Sequence, residues 1–107
     1  MPLFRRRFAD LVRRQLDLYA AENHHRLELL AADYAAHRAG DDDDLLETYG
    51  DFQDSVDLAA SELLSLRDTF ARSLDPDTVP DYERAFLRAV RSRFPALATA
   101  IETEDVG

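Results

Sequence analysis

The chain has 107 residues, a net charge of −9 and a pI of about 4.6, with 46% hydrophobic and 33% charged residues. That is enough for one small domain, and the acidic balance argues against a nucleic-acid partner or an anionic membrane, since both need clustered cations. There is no Cys, which excludes disulfides, thiolate chemistry and Cys-based zinc sites.

Apolar runs are only a few residues long, so no membrane span is expected. Met1-Pro2-Leu3-Phe4-Arg5-Arg6-Arg7 lacks the apolar core of a signal peptide, which makes the cytoplasm the default location.

Gly and Pro divide the chain into segments. From about residue 4 to 38 there is neither, and Ala, Leu, Arg and Glu predict a first helix. Gly40 stands where a helix C-terminal cap belongs. Asp41 to Asp44 open the next helix, with Asp44 and Glu47 spaced as a capping box. Four acids at a helix start complement its dipole, and they lack the alternating ligands and central Gly of a calcium loop.

The second helix is predicted over about 44–74, ending at Asp75-Pro76-Asp77. It carries the clearest pattern in the chain. Leu45, Tyr49, Phe52, Val56, Ala59, Leu63, Leu66 and Phe70 alternate at steps of four and three, a heptad seam for packing along another helix. A third helix is predicted over about 79–94, with Thr78 and Asp81 as capping residues and Pro80 in the first turn. Pro95 interrupts it, and about 96–102 adds a turn or two before a frayed tail.

No segment alternates like a strand, so the fold class is all-α. The short connection between the first two helices predicts a long antiparallel hairpin, with the shorter third helix against part of it.

The first helix has two apolar seams. One reads Phe4, Phe8, Leu11, Gln15, Leu18, Glu22, His25, Leu29; the other reads Val12, Leu16, Tyr19, Asn23, Leu27, Leu30, Tyr34. A hairpin buries one seam, and a helix of about fifteen residues is too short to cover the other. The excess predicts a second copy of the chain, most simply a homodimer completing a multi-helix bundle, with Phe4, Phe8, Leu11, Leu18 and Leu29 at the interface. This reading is of a non-enzymatic protein that mediates protein–protein interaction, without a cofactor.

Glu22 and His25 carry the alternative. Their i, i+3 spacing is that by which carboxylate-bridged di-iron bundles place two ligands on one helix face. Across a dimer axis they could hold iron, manganese or zinc, in a small ferritin-like metal-binding bundle. The hairpin would set them opposite the small side chains Ala59, Ala60 and Ser61. Helix 2 supplies no second motif, because Asp51, Asp54, Asp57, Glu62 and Asp68 fall on its polar arc. The competing reading is a polar layer of Gln15, Glu22, His25 and Arg26 that sets register or oligomer state.

Arg5, Arg6, Arg7, Arg13 and Arg14 make the first turns basic, which reads as a membrane-surface or nucleic-acid patch, as a dock for the acidic region of a partner protein or, favoured by the overall charge, as a solvated face. No strand-turn-helix nucleophile elbow and no glycine-rich phosphate loop is present.

Overall fold

A computed structural model describes the backbone of residues 2–39 and 45–106, and side chains over 8–36 and 52–104. Among the described residues there are five helices and no strand: α1 Pro2–Glu22, α2 His24–Ala39, α3 Leu45–Ala71, α4 Val79–Arg93 and α5 Pro95–Val106. None is long and apolar enough to cross a membrane. The Gly40 cap and the acidic run Asp41 to Asp44 lie outside the described residues.

The first predicted helix is two helices joined at Asn23. Two backbone bonds span the joint: Asn23 N–H donates to Tyr19 O at 3.0 Å, and Leu27 N–H donates to Asn23 O at 3.0 Å. The Asn23 amide also donates to Tyr19 O, at 3.0 Å. A short polar side chain competing for a backbone carbonyl is a recognised cause of local distortion in a helix.

The heptad of α3 marks its buried side. Val56, Ala59 and Leu63 are in the core, and Phe52, Leu66 and Phe70 pack against it. Ala60, one position off that register, is also fully buried. Two small residues side by side let a neighbouring helix approach closely. Here α5 comes against α3, with Leu97 and Ile101 buried and the Ser61 hydroxyl donating to the Glu104 carboxylate at 3.2 Å.

The second seam of α1 meets α4. Phe8, Val12, Leu16 and Tyr19 are buried together with Tyr82, Phe86 and Val90. Phe8 and Tyr82 meet edge to face with centroids 5.8 Å apart, and Tyr19 and Phe94 do so at 6.4 Å. Such edge-to-face pairs add about 0.5–1.5 kcal/mol beyond the area they bury. An Arg93–Asp17 ion pair closes the outside of this packing.

The turn into α4 differs from the predicted capping box. Thr78 makes no side-chain cap; its hydroxyl donates back to Asp75 O at 2.8 Å, closing the Asp75–Thr78 turn. Asp81 pairs with Arg84 instead. At the other end Phe94 leaves helical geometry, with φ −128° and ψ 67°, as expected of the residue before a proline. Pro95 then starts α5, where its missing N–H costs nothing. The helix continues to Val106, well beyond the turn or two predicted, and an Arg91–Glu102 ion pair ties it back to α4.

Together α4 and α5 shelter far more of the first two helices than one short helix would. They bury Val12, Leu16 and Tyr19 completely or nearly so, and Leu30 of α2 joins the same core.

Candidate interaction surface

α1 does not lie along α3. Among the described residues no Cα of one comes within 8 Å of the other, whereas α2 does pack on α3. The gap is an open groove of about 710 Å³. Gln15, Leu18, Tyr19, Glu22 and Asn23 form one wall; Glu62, Ser65, Leu66 and Thr69 form the other.

Long polar side chains bridge this gap. The Tyr19 hydroxyl donates to Glu62 Oε1 at 2.9 Å, and Arg26 pairs with the same carboxylate. Arg26 also donates to Asn23 Oδ1 and, at 3.4 Å, to the Tyr19 oxygen. Its Nε is buried without a hydrogen-bond partner. Burial pushes the Tyr19 hydroxyl well above the usual tyrosine range, and the Glu62 carboxylate adds to the effect. Glu62 therefore belongs to a cluster that joins distant parts of the chain rather than to a solvated polar arc. Its partner Arg26 is 36 positions away, so no local pattern announces the pair.

Two further polar groups sit in the packed half. Tyr82 is wholly buried and donates to Gln15 Oε1 at 2.9 Å. Burial raises its pKa as well. Arg67 is buried on α3, donating to Asp68 Oδ1 at 2.9 and 3.0 Å, with Glu83 of α4 at 3.8 Å. A guanidinium on a long apolar stem can occupy such a place when its charge is matched.

The residues singled out in the sequence fall into three groups. The Phe4 side chain, with those of Arg5, Arg6 and Arg7, lies outside the described residues. Phe8 is 4% exposed in the chain's own core, and Leu11 packs partly against that core. Leu18 and Leu29 are open to solvent, at 61% and 54% exposure. Leu58 of α3, one turn before Glu62, is similarly open at 52%.

Glu22 and His25 are exposed, and among the described residues their side chains have no hydrogen bond or ion pair. They do not face Ala59, Ala60 and Ser61; the first two are core residues, and the α2 side chain Arg26 reaches α3 at Glu62. The turning of α1 onto α4 accounts for this. It draws Val12, Leu16 and Tyr19 inward and leaves the Leu18–Leu29 stripe outside. Among the described residues no three His, Asp or Glu side chains converge as a metal site would require. The polar layer predicted within one seam is thus divided, with Gln15 bonded to Tyr82, Arg26 bonded to Glu62, and Glu22 and His25 turned to solvent.

Compared with protein-family models, with curated proteins and with solved structures, the chain matches none.

Proposed function

We propose that this is a non-enzymatic, self-associating helical protein whose task is protein–protein interaction. The observation that carries the reading is the exposed face of α1 and α2 bordering the groove, where Leu18 and Leu29 stay open on either side of Glu22 and His25. Large apolar side chains grouped on one face of a small domain are a feature of interaction surfaces. In this reading α2 and α3 form an antiparallel hairpin, and two chains complete a larger helical bundle as a homodimer.

Sedimentation equilibrium on the wild-type chain and on Leu18→Glu/Leu29→Glu is the test. The wild type is expected to dimerise at micromolar concentration. The double variant should dissociate at least about tenfold more readily. An unchanged mass distribution in that variant would remove this face from the account.

A metal-binding role for Glu22 and His25 rests on the same face. One chain offers only two ligands there, so iron, manganese or zinc would need the matching pair from a second copy. Metal analysis of tag-free protein tests it: a stoichiometric transition metal supports a bridged site, and protein purified metal-free, with no thermal stabilisation by any of the three ions, removes it.

A further inference from the structure

The exposed stripe on α1 and α2 has a symmetry of its own. Arg14 stands as far before the Asn23–His24 peptide bond as Asp33 stands after it. Leu18 and Leu29 match in the same way, and so do Glu22 and His25. At 3.6 residues per turn all six positions fall within about 100° of the helix circumference. Two i→i−4 backbone bonds, from Asn23 to Tyr19 and from Leu27 to Asn23, span the joint between the two helices. All six side chains are exposed, and among the described residues the side chains of Arg14, Glu22, His25 and Asp33 make no hydrogen bond or ion pair.

Each matched pair is complementary: cation with anion, leucine with leucine, carboxylate with imidazole. A two-fold interface brings each residue against the partner copy of its match, so a surface patterned in this way is complementary to itself. We propose that a second copy of the chain lies antiparallel on this stripe, with the two-fold axis passing beside the Asn23–His24 peptide. Leu18 of each copy then packs on Leu29 of the other. Glu22 receives a hydrogen bond from the opposing His25, and Arg14 pairs with the opposing Asp33. The contact runs about 28 Å along the helices, from Arg14 to Asp33. Charge pairs of this kind fix orientation and register more than they add affinity. This inference rests on the self-association proposed above and adds the register and direction of the pairing.

Charge exchange tests it. In the proposed register Arg14→Asp places like charges together twice per dimer, and so does Asp33→Arg. Each single variant is expected to dissociate about tenfold more readily than the wild type. The double variant Arg14→Asp/Asp33→Arg restores both pairs and should recover wild-type affinity. An equimolar mixture of the two single variants should form a heterodimer in preference to either homodimer. Circular dichroism establishes that each variant is folded, and these positions are exposed.

A wild-type chain that stays monomeric through the micromolar range would remove self-association and this register with it. A wild-type dimer whose double variant is no better than the singles would overturn the register alone.

Discussion

The two sides of α1 resolve the same problem differently. Towards α4, side chains interlock: Phe8 on Tyr82, Tyr19 on Phe94, with Phe86 and Val90 wholly buried. Towards α3 the backbones stay apart, and Tyr19, Arg26 and Glu62 span the gap by hydrogen bonds. The packed side supplies the stability of the fold. The bridged side holds two helices in a fixed relation while leaving the Leu18–Leu29 face open. One chain thus has a closed side and an open side.

The sharpest contrast should come from a truncation on the closed side. Phe86→Ala removes a side chain that is 1% exposed and is expected to cost about 3–5 kcal/mol in urea unfolding followed by circular dichroism. A cost under about 1 kcal/mol would mean that α4 does not anchor α1.

Alkaline pH probes both sides together. Tyr19 and Tyr82 hold their protons more tightly folded than unfolded, because burial disfavours the phenolate. Their contribution is intact below the unfolded value of about 10 and falls as pH rises beyond it, since the unfolded chain then binds fewer protons. Each can contribute a slope of up to about 1.4 kcal/mol per pH unit. Urea midpoints measured from pH 9 to 11.5 should fall with pH, and Tyr19→Phe should make the fall shallower. A flat profile would show that these hydroxyls are not buried.

Breaking the bridge has a smaller expected effect. Glu62→Ala leaves the Tyr19 hydroxyl and Arg26 without their shared acceptor and should cost about 1–2 kcal/mol, moderated by partial exposure of the cluster. Glu62→Gln retains an acceptor for Tyr19 and should cost less. Equal losses would argue against the charge on Glu62 having any part.

Least affected is the open face. Leu18→Ala removes an exposed side chain and should change unfolding stability by less than about 0.5 kcal/mol in dilute protein. A large loss in dilute protein would place Leu18 inside the fold.

Sequence and structure agree where period and burial coincide. The α3 heptad points Val56, Ala59 and Leu63 inward because a long periodic seam leaves little freedom in which side faces the core. The all-α class followed from the same periodicity. The partner of α1 was not legible. Two adjacent seams can each meet several helices, and the aromatic face of Tyr82, Phe86 and Phe94 decided between them. Glu62 and Arg67 escaped for a related reason: their roles depend on Arg26 and Glu83, which only the tertiary fold brings near. The capping pattern at Thr78 misled because the Asp75 carbonyl, three residues back, took its hydroxyl.

The absence of Cys allows one label to be placed cleanly. Ala21→Cys puts a spin label at the edge of the Leu18–Leu29 stripe, close to the proposed axis, on an exposed residue. Pulsed dipolar spectroscopy on this variant measures the distance between two chains directly. Helices packed at about 8–10 Å predict a single, short, concentration-dependent intermolecular distance. A concentrated sample with no dipolar coupling, or with only a long distance, would contradict the claim that a second copy finishes the open half.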